Sequence, residues 1–298
     1  MVKWKSPVSG RASAVMLVTG LAALTLPTWA AASEYVHPTT VKTVAVAGTP
    51  SLVATTAIPH PHVDSISVAG NTTYAGGLFN RLISGGDSSS TYARTNLVAF
   101  NTTTGAVSGK FKPVFNDQVW AVEATSTAVY VGGEFTRVNG TPRPALVKLD
   151  PSTGAIDPVF KPVAIQGRVR DVEVVRPAGG VPHLFVANNR GNRLYSLDPT
   201  TGANDNYLKM SVTTPVCYGT ACSWGGVSIY DFAIDPAGRH LVAVGNFKSV
   251  NGQARVKFFM LDLALNTAKL SPWYYPGFAK KCATDHPRRI ANLQGVDW

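Results

Sequence analysis

Three aspartates are the residues of this chain best placed for catalysis, since Asp64, Asp171 and Asp231 each stand near the start of an apolar, alternating segment. Two carboxyl groups about 5–9 Å apart are the usual machinery for cleaving a glycosidic bond. If these segments surround a common channel, we expect the three carboxylates to approach one another there. A hydrolase or lyase acting on polysaccharide is therefore the enzymatic hypothesis for this chain.

Other catalytic signatures fail on spacing. Residues 105–110 imitate a phosphate-binding loop, but the two glycines are too close together, and Phe111 follows where serine or threonine is required. The chain contains neither the Gly-x-Ser-x-Gly elbow of hydrolases nor the His-Glu-x-x-His motif of zinc proteases. We therefore predict no catalytic residues and no cofactor, and we favour a protein that is not an enzyme.

Metal binding is the weaker interpretation of two other groups of residues. His60 and His62 offer two imidazoles, but Pro59 and Pro61 indicate an extended linker. Four aspartates with a superficial likeness to a calcium site fall in the turns of a repeat: Asp150, Asp157, Asp198 and Asp205. Because aspartate commonly starts a turn through its own side chain, turn formation explains them and we predict no metal.

Aromatic residues in the second half of the chain suggest sugar binding. Flat apolar faces bind sugar rings, and a rigid scaffold carries such sites on its loops. The candidate ligand contacts are Trp224, Trp273, Tyr274 and Tyr275, with Tyr218 nearby. Because large aromatic side chains are more often buried, a role in the core or between repeat units is the competing hypothesis.

Three cysteines are an odd number for disulfide pairing. Cys217 and Cys222 bracket Tyr-Gly-Thr-Ala, a spacing that allows a small disulfide to close the loop between them. Cys282 is then left over. The alternative pairs Cys282 with one of the other two, and peptide mapping without reduction distinguishes these pairings.

The first 32 residues have the pattern of a secretory signal peptide. Lys3, Lys5 and Arg11 precede an apolar run over residues 12–26, and the small residues before position 33 suit cleavage near Ala32. The run is shorter than the roughly 20 residues that span a membrane. We therefore expect a secreted, extracellular protein with no transmembrane segment in the mature chain.

The positive charge is concentrated near the C-terminal end. The chain carries 27 basic and 17 acidic residues, a net charge of +10, and loss of the three basic leader residues leaves +7. Residues 239–298 account for +6, since they hold nine basic and three acidic residues. We interpret this excess mainly as solvated surface. Export argues against nucleic acid as a partner and favours a cell-wall glycan or another envelope protein.

Composition and an internal repeat indicate an all-β fold. Only 15% of the residues are charged, against roughly 25% in an average soluble domain, which argues against disorder, coiled coils and helical bundles. Residues 74–79 recur 56 positions later at 130–135, and a related segment at 243–247 lies a further 112 positions on. Four-stranded units that repeat at about 50 residues are typical of a β-propeller.

The repeat divides the mature chain into about four complete blades and the start of a fifth. We predict the blades at residues 63–116, 117–166, 167–215 and 227–282, with the fifth beginning at residue 288. Residues 33–62 form a linker, in which residues 41–56 suit a strand that closes the ring or completes another blade. The propeller repeats thus occupy residues 63–298.

Repeated glycines and phenylalanines are the expected structural residues of these blades. Glycine after an apolar strand permits a close backbone approach or a β-bulge, and we expect the phenylalanines to plug between neighbouring units. These residues are Gly76, Gly77, Phe79, Gly132, Gly133, Phe135, Gly245 and Phe247. The third unit departs from the pattern, because residues 187–190 read Ala-Asn-Asn-Arg there.

The segment from Tyr130 to Gly140, with Leu146 to Asp150 and Asp157 to Phe160, resembles the delta-60 β-propeller repeat of secreted bacterial proteins. The resemblance covers residues 63–298 and implies no catalytic residues. The expected function is a non-enzymatic scaffold for binding or interaction at the cell envelope. The chain ends inside what resembles the first strand of the next blade, so we expect further strands beyond residue 298.

Overall fold

The computed structural model describes residues 48–85, 87–190, 193–216, 226–280 and 293–298. The regular structure of these residues is almost entirely antiparallel β-strand. A short 3-10 helix, Pro276–Ala279, is the exception. The prediction of an all-β fold is therefore confirmed.

The strands follow the predicted units in chain order. The first blade and its hairpin contain β1 (Ser51–Leu52), β2 (His62–Ala69), β3 (Thr72–Leu78), β4 (Arg81–Ser84), β5 (Asp87–Ala93) and β6 (Leu97–Asn101). The second contains β7 (Val119–Ala124), β8 (Val129–Gly133), β9 (Arg137–Val138), β10 (Thr141–Pro142) and β11 (Leu146–Leu149). The third contains β12 (Val169–Val175), β13 (His183–Asn188), β14 (Leu194–Leu197) and β15 (Val212–Thr213). The fourth contains β16 (Ser228–Ile234), β17 (His240–Asn246), β18 (Ser249–Val250), β19 (Gln253–Ala254), β20 (Phe258–Ala264) and β21 (Thr267–Leu270).

Each blade has a sheet of three main strands, in the orders β2-β3-β6, β7-β8-β11, β12-β13-β14 and β16-β17-β20. In the fourth blade β21 adds the fourth strand that the repeat predicts. In the other three blades the outer strand is reduced to an isolated β-bridge, for example between Leu149 and Ile156. Pro158 follows this bridge closely and cannot donate to a ladder, which explains why the strand is not extended.

The turns between strands form where the sequence predicts them. Asp150 Oδ1 accepts hydrogen bonds from the N–H groups of Ser152 and Thr153, at 3.0 and 2.8 Å, and Gly154 closes the turn with φ +73°. Asp198 makes the same turn with Thr200 and Thr201. The interpretation of these aspartates as turn residues is therefore confirmed.

The segment between the second and third strands of a blade is longer than a simple turn. Asn139 and Gly140, with φ +50° and +76°, turn the two-residue strands β9 and β10 into a small hairpin, and Asn251 and Gly252 do the same for β18 and β19. In the first blade the hairpin β4–β5 takes this place, and β1 pairs with β4. The part of the linker described by the structure thus joins an outer hairpin of the first blade.

The first strands of successive blades contact one another, β2 with β7, β7 with β12 and β12 with β16, and so form the channel wall. Side chains on one strand bind the backbone of the next. Ser65 Oγ accepts from the N–H of Val122 at 3.0 Å, and Ser67 Oγ accepts from Ala124 at 2.9 Å. These bonds satisfy donors that have no partner within their own sheet.

The first glycine of each Gly-Gly pair allows neighbouring blades to approach closely. A Cβ atom on Gly76 would overlap the side chain of Val119, and one on Gly132 would overlap Val169 in the blade that follows. Both valines are fully buried against this backbone. Neighbouring blades therefore approach closely at these two glycines.

The second glycine faces a β-bulge in its own blade. A Cβ atom on Gly77, Gly133 or Gly245 would overlap the backbone of the first strand, next to a register shift in β2, β7 and β16. The bulge explanation is therefore correct at this position. In the third blade Asn188 stands there, and its buried amide donates to the carbonyl oxygen of Gln166 at 2.8 Å.

The buried core lies between the blades. Phe135 packs edge-on against Phe115 of the preceding blade, with 4.7 Å between ring centroids, as the repeat predicts. Phe247 packs in the cluster that joins the third and fourth blades. Phe79 differs from the expectation, because it packs within its own blade and against Leu52. The physical reason is that no blade precedes the first among the described residues, and the β4–β5 hairpin covers Phe79 instead.

One face of the first blade lies open to solvent. Val63 is 40% exposed and Ile66 63%, while the residues at the same place in the repeat are buried against the preceding blade. These buried residues are Val119, Val122, Val169, Val172, Ile229 and Phe232. At the other end, Leu293 and Val296 pack on the fourth blade and bury its outward face. Residues 293–298 therefore cover the outward face of the fourth blade.

Candidate functional site

Several of the predicted residues lie outside the part of the chain that the structure describes. These are the leader, residues 1–32, and the residues Cys217, Tyr218, Cys222, Trp224 and Cys282. The signal peptide and the local disulfide therefore stay predictions.

The aromatic run near the end of the fourth blade splits between surface and packing. Trp273 is 52% exposed and Tyr275 54%. Tyr274 turns inward, where its hydroxyl accepts from the N–H of Val256 at 3.0 Å and its ring lies under the guanidinium of Arg255. Two of the three rings are thus about half exposed, although Trp273 also packs against Phe258 and Tyr275 against Phe278, and the third ring is held inside the blade.

Two of the three candidate aspartates meet at the channel wall. The N–H of Phe232 donates to Asp171 Oδ2 at 3.1 Å and to Asp231 Oδ1 at 3.0 Å. Burial, and the charge and hydrogen bond of Asp231, raise the pKa of Asp171 well above its usual range. Asp231 Oδ2 also accepts from the N–H of Val296 at 2.8 Å, which holds residues 293–298 in place.

Asp64 does not join this pair. Its Oδ2 accepts from Gln118 Nε2 at 2.8 Å and lies 3.4 Å from His62 Nε2. Asp64 is the extra residue of the bulge in β2, whereas Asp171 and Asp231 come directly after a bulge. The three aspartates therefore occupy two different positions of the repeat, and the expectation that all three converge is corrected to Asp171 and Asp231.

Two further carboxylates, which were not predicted from the sequence, line the same wall. Burial raises the pKa of Glu173 to about 7, with Glu123 and Asp231 adding to the effect. Burial also raises the pKa of Glu123, against hydrogen bonds from the Val174 N–H and the Ser67 hydroxyl. Each glutamate lies three residues after the bulge residue of its strand. Because side chains alternate between the two faces of a strand, this spacing was a sequence signal that both glutamates share a face.

The bulge residues of the four first strands gather at one end of the channel, the end that carries the hairpins. They are Asp64, Trp120, Arg170 and Tyr230. The guanidinium carbon of Arg170 lies 4.6 Å from the ring centroid of Trp120 and 5.3 Å from that of Tyr230. Arg170 is thus held between two aromatic rings from the blades on either side, and we call these three residues the channel-mouth cluster.

A second arginine supports this cluster. Arg168 Nη2 lies 2.6 Å from Glu134 Oε1, and its guanidinium also lies over the ring of Trp120. Trp120 Nε1 donates to Glu134 Oε2 at 3.4 Å. Burial and the neighbouring Arg168 lower the pKa of Arg170 from its ordinary value. The cluster is not evident in the sequence, because the residue type at this repeat position differs in every blade.

The described residues contain no group of three or more His, Cys, Asp or Glu side chains placed to hold a metal ion. His62, a candidate ligand from sequence, has its Nδ1 3.0 Å from the carbonyl oxygen of His60. In the part of the chain that the structure describes, no helix has the length and apolar character to cross a membrane.

Comparison with known proteins is consistent with a β-propeller. A family model described as a domain of unknown function (DUF5122) beta-propeller matches residues 129–160, in the second blade. No curated protein matches the chain. The repeated antiparallel sheets and this match define the class of the domain, which is an all-β propeller.

Solved structures similar to this chain are distant. The extracellular domain of a hybrid two component system from B. thetaiotaomicron is 13% identical, with a TM-score of 0.39 over 78% of this chain and 24% of that one. This chain thus spans about a quarter of that protein's length. The Neurospora crassa Pan2 WD40 domain is 13% identical, with a TM-score of 0.41 over 72% and 66% of the two chains. BamB from Moraxella catarrhalis is 13% identical, with a TM-score of 0.35 over 72% and 62%.

Proposed function

We propose that this protein is an exported β-propeller that acts as a non-enzymatic scaffold for binding at the cell envelope. The proposal rests on one observation: the carboxylates of the channel wall accept hydrogen bonds from the backbone of neighbouring segments. Asp171 binds the backbone N–H of Phe232 in β16, the next strand around the wall, and Asp231 binds the N–H of Val296 in the segment 293–298 that covers the fourth blade. Their chemistry therefore serves to hold the blades together.

The alternative, a polysaccharide hydrolase or lyase, fits these carboxylates poorly. A glycosidase needs two carboxyl groups about 5–9 Å apart with the sugar between them. Asp171 is buried and in hydrogen-bond contact with Asp231, so no sugar ring fits between the two. Asp64 is bound to Gln118 at the channel mouth.

Retention on cell-wall polysaccharide without cleavage is the expected result of mixing the purified mature chain with such material. Trp273→Ala should weaken retention about tenfold, because an exposed indole face loses its stacking with sugar. Leu265→Ala is the matched control, since Leu265 is 53% exposed and carries no ring. The bound protein and the released reducing ends are measured together. Reducing ends that appear with the native chain and vanish with a folded Asp231→Asn variant would establish the hydrolase instead.

Export is supported by the leader pattern of residues 1–32. Expression of the full chain in a bacterial host should place the protein outside the cytoplasm, with its N-terminus near Ser33. N-terminal sequencing of the fractionated protein measures this directly. An intact Met1 on protein that stays in the cytoplasm would contradict the proposal.

A further inference from the structure

We propose that the channel-mouth cluster of Trp120, Arg170 and Tyr230 binds a carboxylate side chain on an acidic segment of a protein partner. The proposal rests on the binding function argued above and names the chemistry of the partner. Arg170 is the central residue. Its guanidinium is held between two rings, but it makes no hydrogen bond or salt bridge to another described residue.

The orientation of Arg170 is fixed from both sides. Trp120 belongs to the second blade and Tyr230 to the fourth, and their rings hold the guanidinium at 4.6 and 5.3 Å. A guanidinium between two rings loses freedom on its flat faces and keeps its N–H donors at the edge. Such a group is ordered before any ligand arrives, which lowers the entropic cost of binding.

The donors of Arg170 are free within the described residues. It makes no hydrogen bond or salt bridge there, whereas Arg168, which precedes β12, pairs with Glu134 at 2.6 Å. Glu134 and Asp64 attract Arg170 electrostatically, but among the described residues neither accepts a hydrogen bond from it, and Asp64 accepts from Gln118 at 2.8 Å. The lowered pKa of Arg170 reflects partial burial, and a partly desolvated guanidinium gains more from a carboxylate than one in water.

The geometry favours a protein carboxylate over a glycan. Two guanidinium groups already lie over the ring of Trp120, so its face offers little room for a sugar. Tryptophan, tyrosine and arginine are the residue types that dominate protein–protein binding energy. A carboxylate at the open edge of a guanidinium that lies between two rings can take two parallel N–H bonds from it.

The test measures the binding of fluorescein-labelled hexaglutamate to the mature chain at low salt by fluorescence anisotropy. Hexaglutamine and hexagalacturonate serve as neutral and glycan probes. We expect hexaglutamate to bind best. Arg170→Gln should weaken binding about tenfold or more, because a charge-assisted bond pair is lost. Arg170→Lys should also weaken it, since an ammonium cannot form the two parallel bonds.

Arg137→Gln is the matched control, because it removes the same charge from the exposed β9–β10 hairpin. It should change hexaglutamate affinity less than twofold. The proposal is overturned by three outcomes: no binding of hexaglutamate to the native chain, equal losses for the Arg137 and Arg170 variants, or preference for hexagalacturonate. Thermal melts verify that each variant is folded.

Failure here is distinguishable from failure of the scaffold function. If hexaglutamate does not bind but cell-wall retention continues without cleavage, the channel-mouth site is rejected and the scaffold stands. If polysaccharide is cleaved, the non-enzymatic scaffold function is rejected, whether or not hexaglutamate binds.

Discussion

Phe232→Ala is expected to lower the free energy of unfolding by about 3–5 kcal/mol, whereas Ile66→Ala should lower it by no more than about 0.5 kcal/mol. Both residues stand two positions beyond the bulge residue of a first strand. Phe232 is 4% exposed and packs against Phe185 of the preceding blade, with 6.4 Å between ring centroids. Ile66 is 63% exposed, since no blade precedes it among the described residues.

Urea unfolding followed by circular dichroism measures both variants against the native chain. A loss below about 1 kcal/mol for Phe232→Ala would contradict the packing of the third blade on the fourth. A loss of about 2 kcal/mol or more for Ile66→Ala would mean that the open face of the first blade is covered in solution. Size-exclusion chromatography at several concentrations then shows whether a second copy provides the cover.

The repeat made the strands and turns predictable because the residues that define them act locally. An aspartate that caps its own turn, as Asp150 does, and a glycine with positive φ, as Gly154 has, need no distant partner. The same holds for the hairpin at Asn139 and Gly140. Such residues recur at the same place in several units, so comparing the units found them.

The outer strand and the position of Phe79 were less predictable, because both depend on what lies next to a blade. A pattern of residues in one unit predicts that a phenylalanine is buried but not which neighbour buries it. Phe135 meets Phe115 of a preceding blade, while Phe79 has the β4–β5 hairpin in that place. The neighbour that buries the phenylalanine is set by other parts of the chain, in the first blade by the β4–β5 hairpin.

The channel chemistry depends on contacts between blades and on where each bulge falls. Asp171 and Asp231 occupy equivalent positions, and their meeting was expected; Asp64 lies one repeat position earlier, at the bulge itself. A one-residue shift changes the direction of a side chain on a strand. The cluster around Arg170 escaped notice because comparison of the units finds identical residues, and this position holds a different residue in each blade.

The stability of the propeller should fall as pH rises from about 4.5 to 7. Glu173 has a folded-state pKa of about 7 against an ordinary value of 4.5, because of burial and of the charges on Glu123 and Asp231. The pKa of Asp171 is also raised, by burial and by its contact with Asp231. In this range the folded chain binds protons that the unfolded chain has lost, so the free energy of unfolding decreases with pH. For Glu173 alone the decrease amounts to about 3 kcal/mol.

The turn aspartates act in the opposite direction at lower pH. Hydrogen bonds from Thr153 and Thr201 lower the pKa values of Asp150 and Asp198, so these carboxylates stabilise the folded state once ionised. Their contribution is lost as pH falls through their folded pKa values, below about 4. Maximum stability is therefore expected at about pH 4–5.

Glu173→Gln should remove most of the decrease between about pH 4.5 and 7 and make the protein more stable than the native chain at about pH 8. The amide keeps the size of the side chain and cannot ionise beside Glu123 and Asp231. Asp117→Asn is the control, because Asp117 is exposed and lies outside the channel wall. Urea unfolding across this pH range measures the slope for all three proteins. A slope in Glu173→Gln equal to that of the native chain would show that Glu173 ionises freely, and that the channel wall is open to water at this point.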